Sequence, residues 1–274
     1  VDDGTDAFTI SRCKGLALLN QSLVESEIQF GRTVLFSAEI DLTEIDRIRR
    51  AAVPGQAPSY TAFVAKAVAR ALAEFPYANR RIYRPLGLPF LSYFQAFRDT
   101  DVAVAVERDL PGEHATAYME VLRNVDRLTL ADITSALRTV STMDLSVSPQ
   151  WRSFHRIATT LPGWLAGLLV GLPVHLPKMW RQYRGGAALI SSPAKYGVDA
   201  VVGAWPHPLG FSFGLAQLKP MVKDGQVVAR NAFTFVLDWD RRVMAGAQAA
   251  RFFARACQLL RAPSSLEEPS SPQA

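Results

Sequence analysis

The stretch that most constrains this chain lies near its end. From Val227 to Trp239 the residues alternate, with Phe233, Phe235, Leu237 and Trp239 on one side. That pattern puts one face of a long strand against a core. The segment Phe235–Gly246 then passes through charged residues to a glycine, which reads as a tight turn. In Ala247–Leu260, Ala249, Phe252, Phe253, Ala256, Leu259 and Leu260 recur at helical spacing. Asp224-Gly225, just ahead of the strand, signals a hairpin. A half-buried strand of this length needs other strands beside it and helices over its apolar face.

The rest of the chain supplies both. Ser59–Phe75 has Tyr60, Phe63, Val64, Ala67, Val68, Ala71, Leu72 and Phe75 on one helical face, and Pro76 stops it. Its alanines predict close packing on a sheet. Thr33–Asp41, Asp101–Glu107, Ala187–Ser191 and Phe211–Leu218 read as strands, and Phe90–Phe97 as strand or loop. Residues 9–25 are expected to form a helix through Leu16, Leu19 and Leu23. Thr43 with Asp46, and Thr129 with Asp132, have the spacing of helix-capping boxes.

Composition narrows the class. The 274 residues are 49% apolar and 20% charged, which suits a soluble globular protein. The net charge is +5, but Lys and Arg are scattered, and no stripe of basic and aromatic residues marks a nucleic-acid face. Cys13 and Cys257 have no Cys or His at metal-ligand spacing. They read as reduced thiols, with a disulfide between them left open. The acidic, polar N-terminus does not read as a signal peptide, so the expected location is cytoplasmic. The sequence reads as a single domain over 1–262 and a disordered tail over 263–274, rich in Pro and Ser. Ile157–Leu176 is uncharged apart from His175 and long enough to span a bilayer. Pro162, Pro173 and its glycines instead favour a buried or re-entrant helix pair. The sharper alternative is an apolar flap that touches a hydrophobic ligand or a membrane surface.

Three stretches in order, SYTAFVAKAVARALAEFPYANRRIY, GGAALISSPAKYGVDAV and DGQVVARNAFTFVLDWDRRVMAGAQAARFFARACQLL, resemble the catalytic domain of dihydrolipoyl acyltransferases. This is the 2-oxo-acid dehydrogenase acyltransferase family, which shares its fold with chloramphenicol acetyltransferase. The resemblance spans roughly residues 10–262. It implies an α/β two-layer sandwich with a split mixed sheet and helices on one side. It also implies a homotrimer with channels between subunits, coenzyme A entering from one side and the acyl partner from the other. With no lipoyl or subunit-binding domain ahead of it, the chain resembles a free-standing catalytic domain, and its polar tail argues against a large cage.

The resemblance also assigns roles. The family motif D-H-R-x-x-D-G reads here D-R-R-V-M-A-G. Arg241 stands at the position of the histidine base and Ala245 at that of the second acid, while Asp240, Arg242 and Gly246 are retained. Ser191 matches the serine that stabilises the tetrahedral oxyanion, and Ser192 and Arg241 are candidate substrate contacts. Arginine stays protonated at working pH and cannot act as the base. Arg241 can grip a carboxylate or phosphate, or form an ion pair with Asp238 or Asp240. Ser191 can equally satisfy backbone groups at a strand end. His114, His155, His175 and His207 have no sequence partner that would orient one of them as a substitute base.

Three functions remain open on the sequence. One is a catalytically degenerate acyltransferase homologue that binds an acyl or hydrophobic ligand, or a partner. Another is an active, atypical acyltransferase using acyl-CoA or a carrier thioester. The third is a structural trimer that docks a protein or membrane through Ile157–Leu176. No metal site and no tightly bound cofactor are expected, and coenzyme A or an acyl thioester enters only as a substrate.

Overall fold

The structure, a computed structural model, describes residues 7–12, 33–85, 88, 91–108, 116–144, 152–153, 156–157, 160–203 and 205–267. Its strands are β1 (Phe8–Arg12), β2 (Thr33–Asp41), β3 (Arg80–Tyr83), β4 (Tyr93–Phe97), β5 (Val102–Arg108), β6 (Thr116–Leu122), β7 (Ala188–Ser191), β8 (Leu209–Phe213), β9 (Gln217–Lys223) and β10 (Gln226–Asp240). Its helices are α1 (Thr43–Ala51), α2 (Tyr60–Glu74), α3 (Leu130–Thr142), α4 (Gly163–His175), α5 (Pro177–Arg184) and α6 (Gly246–Arg261).

β10 organises the main sheet. Its first half, Gln226–Ala232, pairs with β9 across the Asp224-Gly225 turn, where both residues have positive φ. Its second half lies between β2 and β8, antiparallel to each. From β8 the sheet continues through β7 and β5, which run parallel, to β6 at the edge. A separate antiparallel sheet has the order β1-β4-β3. The result is a split mixed sheet, and α1, α2, α3 and α6 share its core.

The alternation of β10 sets that core. Phe233, Phe235, Leu237 and Trp239 are all buried on the helix side. Phe235 stacks on Phe211 of β8 at 5.7 Å and on Phe253 of α6 at 5.4 Å. Burying one such aromatic side chain contributes about 2–3 kcal/mol. α2 is capped by Ser59, whose side chain accepts from the amide of Ala62 at 3.1 Å. It is buried on nearly all sides, because α3 and α6 enclose what the sheet leaves uncovered.

Several expectations change. Residues 9–12 belong to β1, paired with β4, rather than to a helix, while 13–25 lie outside the described residues. The strand expected over Phe211–Leu218 is two strands. The chain leaves β8 at Gly214 and re-enters as β9 beside the other half of β10. Thr43 is not a cap: it is the first residue of α1, and its amide and hydroxyl donate to Asp41 at 2.9 and 2.6 Å. Asp46 instead accepts from Tyr60 Oη at 2.6 Å and Asn231 Nδ2 at 2.7 Å. Thr129 and Asp132 do form a capping box. Within the apolar segment Ile157–Leu176 the structure places α4, with α5 following beyond the segment, and no helix among the described residues is long and apolar enough to cross a membrane. Residues 263–266, grouped by sequence with the tail, form a 3-10 turn with Pro263 and Leu266 buried.

Lys66 is fully buried in α2. Its ammonium donates to the carbonyls of Asp126 (2.7 Å) and Leu128, tying α2 to the turn after β6. Burial, then repulsion from Arg70, pushes its pKa down to about 8. The unfolded chain therefore holds this proton more tightly, and stability from this group rises with pH between about 8 and 10.5. Lys66→Met should lose about 1–3 kcal/mol at pH 7, because two buried carbonyls lose their donor. In urea unfolding the gap between wild type and variant should widen from pH 8 to pH 10. A constant gap would contradict the assignment.

Candidate functional site

β10 delivers the motif to a tight turn. The amide of Val243 donates to the Asp240 carbonyl at 2.9 Å, closing it. The Asp240 carboxylate accepts from the Arg242 amide at 2.9 Å and from Arg242 Nε at 2.9 and 3.0 Å. From outside, Arg80 of β3 donates to the Val243 carbonyl through Nη2 at 2.7 Å and Nε at 3.2 Å. Its guanidinium lies 3.9 Å over the Phe94 ring. Val243 and Met244 anchor the turn in the core. Arg241 and Ala245 are exposed. Ala245 is the N-cap of α6 and offers no side-chain acceptor, while its own amide donates to Gln248 Oε1 at 3.1 Å. Gly246 opens α6 with open space around its Cα rather than forming the turn. Asp240 is held by Arg242 rather than by Arg241.

Asp238, two residues before the motif, faces away from the helices. It is 1% exposed, and its Oδ2 accepts from Trp205 Nε1 at 2.9 Å. Oδ1 has no hydrogen-bond partner. Opposite it on β8 is Gly210, where a Cβ would lie 1.8 Å from Trp205 Cδ1. A glycine is required there because the indole lies flat on the backbone. This contact clamps the 198–207 segment onto the sheet, aided by Ser212 Oγ donating to the Val201 carbonyl at 2.6 Å.

Ser191 ends β7, between two parallel neighbours. Ligands of α/β sheets commonly bind beyond such carboxyl ends. Here a cleft of about 620 Å³ opens, lined by Ser191 and Ser192, by the end of β5, by the N-terminus of α2 and by α3. The Ser191 hydroxyl makes no hydrogen bond among the described residues and lines the cleft. Ser192 is committed to the backbone, donating to the Phe213 carbonyl at 2.9 Å. At the mouth, Glu107 pairs with Lys195 at 2.5 Å and accepts from Tyr196 Oη. The Lys195 contact, then Tyr196, holds its carboxyl below the usual range. Sequence reasoning missed Glu107, Lys195, Tyr196 and Arg138 at this cleft. The available signal was strand alternation, which puts Glu107 on the same face as Ala105, the residue level with Ser191.

Ser191 and Arg241 do not meet within one chain. Ser191 is level with Ser212, and Ser212 with Val236. Arg241 lies beyond the other end of the strands, roughly 16 Å away at about 3.3 Å per residue. No described histidine fills the gap. His207 is buried, bonded through Nε2 to the Arg184 carbonyl at 2.8 Å, and burial pushes its pKa down to about 4. His175 lies in the last turn of α4, and His114 and His155 lie outside the described residues. Burial pushes the Cys257 thiol up to about 11, so it is not a thiolate at neutral pH, and Cys13 lies outside the described residues. No cluster of metal-ligating side chains occurs among the described residues.

Burial raises the pKa of the Asp238 carboxyl, and Trp205 partly offsets it. A raised carboxyl pKa contributes stability at acid pH that is lost as pH rises through the folded value. Asp238→Asn keeps an acceptor for Trp205 and removes the buried charge. It should therefore equal or exceed wild type in urea unfolding at pH 7, with the difference shrinking toward pH 4. Trp205→Phe should cost about 1–3 kcal/mol by stranding the second carboxylate oxygen. An Asn variant less stable at pH 7 than at pH 4, relative to wild type, would refute this account.

With the geometry described, known proteins give it a context. The 2-oxoacid dehydrogenases acyltransferase (catalytic domain) family matches residues 19–146 and 179–267. No protein of curated description matches. Among solved structures, a probable dihydrolipoamide acetyltransferase from Listeria monocytogenes aligns with TM-score 0.60 and 17% identity, over 93% of each chain. The Azotobacter vinelandii dihydrolipoamide acetyltransferase aligns with TM-score 0.61 and 22% identity, over 90% of this chain and 88% of that one. That structure was solved to examine one serine, one histidine and one asparagine in its catalytic mechanism. A chloramphenicol acetyltransferase aligns with TM-score 0.54 and 12% identity, over 92% of this chain and all of the other. These structures share the fold, and the family match covers most of the sequence. The chain belongs to the 2-oxoacid dehydrogenase acyltransferase catalytic-domain family.

Proposed function

We propose that this chain is a catalytically degenerate acyltransferase that keeps a binding channel for an acyl thioester, such as acyl-coenzyme A, and has lost proton transfer. The observation that carries this reading is the mismatch between two positions. The Ser191 hydroxyl remains uncommitted in an open cleft, whereas Arg241 occupies the position of the base. A guanidinium cannot accept the proton of an attacking thiol or hydroxyl. Loss of a positioned base lowers the rate by about 10²–10⁴. Ala245 also removes the acid that would support a histidine there. The roughly 16 Å between Ser191 and Arg241 along the strands supports a site shared between copies, as in the trimer implied by the family resemblance.

A second reading is favoured by the same serine. With its oxyanion donor intact, the channel can still assist transfer to a thiol acceptor, which is a few per cent thiolate at neutral pH without any base. Arg241⁺ would raise that fraction. A hydroxyl acceptor has no such route.

Purified protein should bind coenzyme A in calorimetry and transfer acetyl groups from acetyl-CoA to small thiols no faster than the uncatalysed rate. Arg241→His combined with Ala245→Asp should raise transfer by about 10²-fold. Steady wild-type turnover abolished by Ser191→Ala would overturn the degenerate reading in favour of the thiol-transfer one. A folded double variant that stays inert and binds no coenzyme A would remove both.

A further inference from the structure

The helix α4 lies outside the residues that the family model matches. The family match stops at residue 146 and resumes at 179, and α4 lies in the gap. Its sequence, GWLAGLLVGLPVH, carries no charge before His175 and has no polar face. An ordinary surface helix turns one polar side to water. Among the described elements, the only extensive packing partner of α4 is α5. Leu165, Leu169 and Leu172 are half-exposed, and Val174 and Leu176 are exposed.

The C-terminal end is nevertheless fixed. Arg81 of β3 donates to the Val174 carbonyl at 3.0 Å, and Gln95 of β4 donates to the Pro177 carbonyl at 3.0 Å. Arg81 and Gln95 bind each other at 2.7 Å, and the Arg81 guanidinium lies 4.1 Å over the Trp180 ring. An apolar helix is thus tied down at its C-terminal end, while Leu165, Leu169 and Leu172 stay only partly covered by the described residues.

Charge says what covers it. Between Asp144 and Asp199 the sequence contains no acidic residue. Arg152 and Arg156 are exposed ahead of α4, and Lys178 is exposed just after it. An apolar helix between cations suits a bilayer with anionic headgroups, where each nearby cation adds to binding. A second copy docked on α4 would bring like charges together. At 13 residues α4 is about 20 Å long, short of the ~30 Å hydrocarbon core, so it can enter one leaflet but not cross.

We propose that α4 and its basic flanks dock this protein on the surface of an anionic phospholipid bilayer, with α4 seated at the headgroup–acyl boundary. The inference does not rest on whether acyl transfer survives.

Flotation with vesicles tests it. Wild type should bind phosphatidylcholine–phosphatidylserine vesicles, bind phosphatidylcholine alone far more weakly, and lose binding as salt is raised. Arg152→Gln with Arg156→Gln should weaken binding to the mixed vesicles roughly 30-fold. Leu165→Asp with Leu169→Asp should abolish it while leaving the sedimentation coefficient in lipid-free buffer unchanged. Circular dichroism checks the fold of each variant. If the leucine variant misfolds, the lipid and salt dependence of wild type and the arginine variant decide the matter. Absence of wild-type binding, undiminished binding by the leucine variant, or its dissociation into smaller species in lipid-free buffer would overturn the proposal. The last outcome would mean that a second copy covers α4.

Discussion

The pairing of β10 on both edges is the constraint from which the rest follows. One strand of 15 residues serves two partners in sequence: β9 along its first half, then β2 and β8 along its second. Its alternation leaves no freedom in register, because a slip of one residue would turn Phe233, Phe235, Leu237 and Trp239 out of the core and Thr234 and Asp238 into it. Once that register is set, β8 fixes β7, and β7 fixes the height of Ser191. The far end of the same strand fixes the motif turn. The heights of Ser191 and of the motif turn are thus both set by the second half of a single strand.

This arrangement explains how positions 241 and 245 can vary while the fold stays intact. The turn is held by Asp240, Arg242, the Arg80 contact to the Val243 carbonyl, and the burial of Val243 and Met244. Arg241 and Ala245 contribute none of these contacts, and both face solvent. Substitutions at such positions usually change stability by less than about 0.5 kcal/mol. The fold of the turn therefore does not depend on which residues stand at 241 and 245. The Asp240–Arg242 pair is different. It is partly buried and bonds both side chain and backbone, so it belongs to the architecture of the turn.

Much of the fold was legible because the informative residues act locally or by periodicity. The alternation of β10, the helical face of α2 and the Asp224-Gly225 turn each carry their signal within a few residues. Errors arose where a tertiary partner decides the outcome. Thr9–Arg12 form a strand because β4 lies beside them. The run through Gly214 breaks because β10 is long enough to serve two partners. Thr43 does not cap because Asp41 takes its amide, and Asp46 is drawn to Tyr60 and Asn231. At the cleft, the resemblance singled out Ser191, which does line it, but not Glu107, Lys195 and Tyr196. Their meeting depends on two parallel strands that a crossover brings together, and local alternation gives only the face of Glu107, not its partners.

The separation of Ser191 from Arg241 also limits what a lone chain can do. Under the reading proposed above, a cleft with an oxyanion donor at one end of the sheet holds a thioester, because binding needs only shape and hydrogen bonds. Transfer assisted by a base needs a second group at the reacting atom, and within one chain the motif turn lies at the other end of β7 and β8. Under the composite-site reading proposed above, any charge at position 241 acts on the cleft of a neighbouring copy. Replacing a neutral imidazole there with a permanent cation changes that cleft without touching the chain that forms it. It would strengthen the hold on an anionic or thiolate ligand while removing the imidazole that would take a proton. Tighter binding of the ground state without matching stabilisation of the transition state does not accelerate the chemical step. On that reading, a cation at this position favours retention of a ligand over its turnover.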